Sequence, residues 1–216
     1  SSEFWSSFWD FTRINGIKGR KKIKKSKIFY KNLFLPNSKL NFAENLLSKN
    51  NNEKAATFIS ENDFREERSW AKLNENTRNL AQFFKNKKIK QKDRIVAYMP
   101  NIIETVEAFI ATTSVGAIWS SCSPDFGVQG VVDRFKQIEP KVFITCDYYY
   151  YNGKKINILD KVEEILKQIP SIKKVIAFNY NKKERESLKN FINFEETLKN
   201  DLDEVFERFE FNHPIY

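Results

Sequence analysis

Histidine and cysteine are nearly missing from this sequence. Its 216 residues hold one histidine, His213, and two cysteines, Cys122 and Cys146. Their spacing forms neither a CxxC pair nor a metal-ligand set, which excludes a zinc centre as the organising chemistry. Two isolated thiols fit the reducing cytoplasm better than a secreted disulfide scaffold. Long apolar runs are missing too: none approaches the ~20 residues that a membrane-spanning helix needs. The opening SSEFWSSFWDF has no basic stretch followed by an aliphatic one, so no secretory signal is expected there. No GxxxxGK[ST] loop, nucleophile–base pair or glycosidase-like carboxylate pair is visible, which leaves no self-contained catalytic motif. An initiator methionine is absent, and the closing FNHPIY stops on an extended apolar segment. The chain is therefore expected to be a piece of a longer polypeptide.

One sign of charge is missing from one stretch. Between Phe11 and Ala43 there is no Asp or Glu, while Arg13, Lys18, Arg20, Lys21, Lys22, Lys24, Lys25, Lys27, Lys31 and Lys39 are basic. These ten residues account for the whole net charge of +9. Such a run is ordinarily a solvated face. It also leaves open a basic module for nucleic acid or another anionic surface, whose affinity would fall steeply with salt. No recognised nucleic-acid motif accompanies it, so nucleic acid is not expected as partner; with no apolar run long enough to span a bilayer, neither is a membrane.

Aromatic residues are abundant, with 20 Phe, which excludes a disordered composition. The length suits one large domain or one and a half small ones. Residues 1–50 read as an irregular, partly helical arm. Trp5, Phe8, Trp9 and Phe11 suit a turn or two of helix docking by an aromatic face. Asn41 is placed to cap a short helix carrying Phe42, Leu46 and Leu47. From Lys54, AATFIS and REERSW around the turn ENDF predict a β-hairpin. Ser69 then caps a helix with Leu73, Thr77, Leu80 and Phe84 on one face. Strands are predicted at 94–100, 117–123, 141–147 and 173–180. Helices are predicted between them at 101–116, 125–140 and 157–170, the first two starting at Asn101 and Asp125. Apolar strands separated by single helices predict an α/β fold, a parallel sheet with flanking helices and right-handed crossovers. Beyond Asn181 the pattern reads as polar and helical.

In open α/β sheets, ligands bind beyond the C-terminal ends of the strands. Three segments converge there: Met99 to Asn101, Ser120 to Asp125, and Thr145 to Lys155. The small side chains of Ser120, Ser121, Cys122 and Ser123 allow a ligand to approach closely. Helix N-termini at Asn101 and Asp125 direct N–H groups at an anion. Lys154 and Lys155, on a glycine-containing loop, add positive charge. Plainer readings stand beside these. Asp125 is then a helix cap and Ser123-Pro124 a turn. Cys122 and Cys146 are inert core thiols, and His213 is structural. The Tyr148 to Tyr151 run suits either an adenine ring or packing on the neighbouring chain. The residues alone give a parallel α/β piece with an anion-friendly edge and no assigned reaction.

Several stretches go further. FWDFTRINGIKG, LPNSKLNFAENLL, RSWAKLNENTRNLAQFF, DRIVAYMPNIIETVEAFIATTSVGAIWSSCSPDFG and VVDRFKQIEPKVFIT occur in this order. Together they resemble the acetoacetyl-CoA synthetases, in the acyl-CoA synthetase branch of the AMP-forming enzymes. The resemblance runs from residue 4 to about 180 and is weak beyond. GAIWSSCSPDFG points to the acetoacetyl-type subgroup; an acetyl- or propionyl-type synthetase is the alternative. The resemblance implies a ligase that joins an acid to coenzyme A through an acyl-adenylate, using ATP, CoA and Mg2+. It implies small-molecule partners: acetoacetate or another short acid, ATP and CoA. It places Ser120, Ser121 and Cys122 along the path of CoA, with Lys154 offering charge to its nucleotide phosphates. Lys154 stands where acetyl-type relatives have Arg, and Tyr151 where they have a second Arg, a loss that Lys155 can make good. The family's Ser/Thr/Gly-rich phosphate loop, its adenine and ribose contacts and its C-terminal catalytic Lys have no counterpart here. The expected division is 1–50 as an arm and 51–216 as an incomplete AMP-binding domain, inactive alone.

Overall fold

The computed structural model describes residues 2–180, 191–199 and 206–216. The chain opens on α1 (Ser2–Phe11), which buries Trp9 against Phe211, ring centroids 6.4 Å apart. Phe4, Phe8 and Phe11 stay exposed, so this helix docks by its Trp9 side and not by its whole aromatic face. Four two-residue strands follow: β1 (Gly16–Ile17), β2 (Ile23–Lys24), β3 (Leu33–Phe34) and β4 (Lys39–Leu40). β1 pairs antiparallel with β4, and β2 with β3. α2 (Phe42–Leu46) begins at Asn41 as the sequence predicts. The Asn41 Oδ1 accepts from the N–H groups of Ala43 and Glu44. Its Nδ2 donates to the carbonyls of Ser114 at 2.9 Å and Glu207 at 2.7 Å, which stitches the arm to the body.

The predicted hairpin is β5 (Lys54–Ile59) with β6 (Arg65–Ser69). α3 (Trp70–Asn86) follows, with the Ser69 Oγ accepting from the Lys72 N–H. Then come β7 (Arg94–Tyr98), α4 (Ile103–Ser114), β8 (Ile118–Cys122), α5 (Val128–Lys136) and β9 (Val142–Cys146). A second hairpin, β10 (Tyr148–Tyr151) with β11 (Lys154–Asn157), precedes α6 (Leu159–Gln168) and β12 (Lys174–Phe178). β13 (Ile192–Asn193), α7 (Phe194–Thr197) and β14 (Phe209–Glu210) complete the described elements.

The central sheet has the order β13-β12-β9-β7-β8, all parallel. From β7 the chain steps outward to β8, then crosses back over β7 to β9. Right-handed crossovers therefore put α4 on one face, beside α3, and α5 and α6 together on the other. Both faces are covered, so the strands are continuous apolar runs: Ile95, Val96, Ala97, Phe143, Ile144 and Ile176 are fully buried. Each such large aliphatic or aromatic side chain contributes about 1.5–3 kcal/mol by leaving water.

Three expectations need correction. α4 starts at Ile103, not Asn101, because the Ile102 N–H turns back to the Pro100 carbonyl at 2.9 Å. α5 starts after Gly127, not at Asp125, whose carboxylate is engaged elsewhere. The polar tail holds a fifth strand, β13, and the short α7 within 191–199; the rest of that predicted helical stretch, 181–190 and 200–205, lies outside the described residues.

Gly116 ends α4 in the left-handed region at φ 70°, as a helix stop should. A Cβ there would lie 2.6 Å from the Phe209 ring. The bare glycine thus lets β14, which pairs with β4, close over the end of α4. His213 fixes the same corner through a 2.8 Å hydrogen bond between its Nε2 and the Gly116 carbonyl, the structural role expected of it.

Candidate functional site

The loops after β7 and β9, neighbouring strands, leave toward opposite faces of the sheet. Such a divergence opens a crevice at the C-terminal edge. The Ser123 to Gly127 loop crosses this edge on its way from β8 to α5. Two tyrosines hold it. The Tyr98 hydroxyl, at the end of β7, is shared between the carbonyls of Pro124 at 2.8 Å and Phe126 at 2.7 Å. The Tyr149 hydroxyl, from β10, donates to the Asp125 Oδ1 at 2.7 Å. The Ser123 Oγ takes the other Asp125 oxygen at 2.8 Å. Burial first, and the Asp125 charge second, push the Tyr98 hydroxyl up to about 12. Tyr149 is raised by burial and by its hydrogen bond to Asp125. Both therefore remain donors at any physiological pH.

β8 does not present Ser120, Ser121 and Cys122 as one surface. Strand side chains alternate between faces. Trp119 packs on Phe109 of α4, ring centroids 6.0 Å apart, and Ser121 shares that face. The Ser121 Oγ lies 3.4 Å from the Tyr216 hydroxyl. Ser120 and Cys122 turn to the opposite face, that of α5. Both serines are half-buried, whereas Cys122 is 3% exposed. Burial raises its thiol, against a smaller opposing pull from Arg134. Cys146 is fully buried and raised well above the usual thiol range by burial. Both cysteines are core thiols and not nucleophiles.

Lys154 and Lys155 sit on β11 of a hairpin, not on an irregular loop. Asn152 at φ 50° and Gly153 at φ 70° make its turn. Asn-Gly between two strands is a strong hairpin signal, and it accounts for the tight turn here. Pairing of Tyr151 with Lys154 and of Tyr150 with Lys155 puts the two lysines on opposite faces. Lys154 shares the face of Tyr149, which reaches Asp125. Lys155 lies over the ring of Tyr148, its Nζ 3.8 Å from the centroid. That second face packs away from the crevice: Tyr148 and Tyr150 meet Tyr180 at 5.2 and 5.7 Å. Tyr180 in turn donates to the Ser60 Oγ at 2.7 Å. The tyrosine run thus packs on its own chain, with Tyr148 and Tyr149 buried.

Asp147, between β9 and β10, lies in the Thr145 to Lys155 segment expected at this edge and has a role that the sequence does not show. Its Oδ1 accepts from the N–H groups of Tyr148 at 2.8 Å and Tyr180 at 2.9 Å. Burial raises its carboxyl, and these N–H groups hold the rise back. It ties β9, β12 and the hairpin into one edge. Neither α4 nor α5 carries a side-chain cap, so their first N–H groups meet no side-chain acceptor at the cap position. A Cβ on Gly127 would meet nothing within 4 Å, so open space adjoins the start of α5. Among the described residues, no three His, Cys, Asp or Glu side chains come together to hold a metal.

Comparison with known proteins agrees with this layout. The chain is 37% identical over 99% of its length to the acetoacetyl-coenzyme A synthetase of Rhizobium meliloti (strain 1021), and 38% identical over 99% to that of Xenopus tropicalis. It superposes on the acetoacetyl-CoA synthetase structure from Streptomyces lividans with a TM-score of 0.88, at 29% identity, covering 98% of this chain and 33% of that one. The chain spans about a third of the length of the curated relatives it matches. Residues 45–206 match the family described as AMP-binding enzyme, three-quarters of the chain, and the chain belongs to that family.

Proposed function

We propose that this chain supplies the leading third of an ATP-dependent acid–CoA ligase, with acetoacetate as the acid. The observation that carries this reading is the 37–38% identity to acetoacetyl-CoA synthetases across nearly the whole chain. The reaction has two steps. The acetoacetate carboxylate attacks the α-phosphorus of ATP, giving acetoacetyl-adenylate and pyrophosphate. The CoA thiolate then attacks the acyl carbon, the thioester forms and AMP leaves.

The chain's own residues serve the second step. Ser120 and Ser121, on opposite faces of β8, keep both flanks of its C-terminal end low along the path of CoA, and Cys122, buried beneath Ser120's face, helps by its small size, not by its thiol. Lys154 offers charge to the CoA nucleotide phosphates; Lys155, turned toward Tyr148, is the weaker contributor. Tyr98 and Tyr149 hold the Ser123 to Gly127 loop in one shape, so the path is set before CoA arrives. Mg2+ accompanies ATP in such chemistry; among the described residues no group of three or more His, Cys, Asp or Glu side chains would hold it. Residues 1–50 act as an arm and 51–216 as the leading part of the AMP-binding domain. The free, buried Cys122 and Cys146 suit work in the cytoplasm.

The test is a chimaera of this chain with the remaining two-thirds of the Rhizobium meliloti relative. AMP formation that requires acetoacetate and CoA is the expected result. A folded chimaera with no acid-dependent AMP formation would refute the ligase reading, and a preference for acetate or propionate would move the acid. The isolated chain is expected to form no AMP.

A further inference from the structure

The basic stretch has a shape that the ligase reading leaves unused. β2 and β3 form a small hairpin whose tip is a single 3-10 turn over Phe29–Lys31. The tip is built, not loose. The Asn32 Oδ1 accepts from the Ser26 N–H at 2.7 Å, and the Asn32 Nδ2 donates to the Phe29 carbonyl at 2.7 Å. The Ile28 N–H reaches the Ser26 Oγ at 3.2 Å, and the Lys31 N–H reaches the Ile28 carbonyl at 3.0 Å. These bonds hold Ile28, Phe29 and Tyr30 outward, 43%, 89% and 80% exposed. Around them stand Lys24, Lys25, Lys27 and Lys31, all exposed, with no carboxylate anywhere between Phe11 and Ala43.

From this juxtaposition we propose that the β2–β3 hairpin tip is a peripheral docking point for an anionic phospholipid surface. Aromatic and aliphatic side chains that enter the interface, ringed by lysines that meet anionic headgroups, are the physical requirements for such contact. Tyr adds an amphipathic ring suited to headgroup depth. Two features favour lipid over nucleic acid. The rings stand on a convex tip beside the aliphatic Ile28, whereas single-strand binders place stacking rings in a groove that tracks the backbone. The ring of charge is all lysine, compact point charges suited to a diffuse surface, without the arginine fork that reads phosphates and bases. The expectation of no membrane partner rested on the lack of a spanning segment, and peripheral contact needs none. The proposal stands apart from the ligase reading.

The test is sedimentation of the 216-residue chain with phosphatidylcholine vesicles, with and without phosphatidylserine, at low and high salt. A Tyr30→Trp form reports insertion by a blue-shifted component in its emission that the parent chain, with its four native tryptophans, does not show. Binding is expected only with phosphatidylserine and is expected to weaken with salt. Each lysine lost from an anionic surface lowers partition roughly five-fold. The fourfold change of Lys24, Lys25, Lys27 and Lys31 to Gln should therefore lower it by several hundred-fold. Phe29→Ser with Tyr30→Ser should lower it by roughly ten-fold or more. All these positions are exposed, and far-UV circular dichroism checks that each variant is folded. The proposal is overturned by no phosphatidylserine-dependent binding, by binding that survives the Phe29 and Tyr30 changes, or by binding to an oligonucleotide and not to vesicles.

Discussion

Arg68 of β6 carries the most exacting stability prediction. Its guanidinium meets three carboxylates: Glu107 at 2.8 Å, Glu104 at 3.0 Å and Glu66 at 3.1 Å. The Glu107 side chain is fully buried and that of Glu104 is 5% exposed. Burial works against the Arg68 charge, yet the attraction of Glu107, Glu66 and Glu104 outweighs it and raises its pKa. The cluster fastens the β5–β6 hairpin to α4. Arg68→Met leaves two buried carboxylates without their cation, which costs about 3–5 kcal/mol. That is a large part of the ~5–15 kcal/mol that holds a domain folded. At a slope of about 2 kcal/mol per molar, the urea midpoint should fall by about 2 M. Arg68→Met combined with Glu104→Gln and Glu107→Gln should recover more than half of that fall. A midpoint shift under about 0.5 M for Arg68→Met alone would refute the reasoning.

Three further outcomes follow from the candidate site. Tyr98→Phe leaves the Pro124 and Phe126 carbonyls without their donor; it should cost about 1–3 kcal/mol in urea unfolding and, in the chimaera, raise KM for CoA more than it lowers kcat. Lys154→Ala should weaken CoA use in the chimaera markedly more than Lys155→Ala; equal effects in steady-state kinetics would contradict the two-faced hairpin. Asp147 has a carboxyl raised by burial, so the folded chain holds its proton to higher pH than the unfolded chain does. Its contribution to stability is present below the ordinary Asp value and is lost as pH rises through the folded value. Asp147→Asn should remove that slope from the pH dependence of the unfolding free energy.

The parallel sheet was legible because β7, β8, β9 and β12 are short apolar runs between single helices, a pattern that few folds share. Asn41 and Ser69 were legible as caps because each precedes an apolar-periodic stretch. Asn101 and Asp125 have the same residue types and failed. Pro100 starts a tight turn that uses up Asn101's position, and a tyrosine 24 residues downstream claims the Asp125 carboxylate. A long-range partner of that kind leaves no local trace. β13 was not legible because two residues carry no periodicity. The tyrosine hairpin was legible in principle, through Asn152-Gly153, but four consecutive aromatics hide the alternation that marks a strand. The clustering of Ser120, Ser121 and Cys122 in sequence suggested one surface, and strand alternation divides it. Tyr98 looks in the sequence like a core residue; Asp147 and Tyr149 lie in the segment expected at the edge, but their partners are far along the chain and leave no local trace.

The central claim is that CoA reaches an acyl-adenylate along the β8 edge. A single-turnover experiment on the chimaera tests it most directly: acetoacetyl-adenylate is formed first from ATP and acetoacetate, and CoA is then added. The account predicts prompt release of acetoacetyl-CoA and AMP. Ser121→Trp, which raises the low edge, should slow that release far more than it slows adenylate formation. Failure to form the adenylate, or equal slowing of both steps by Ser121→Trp, would contradict it.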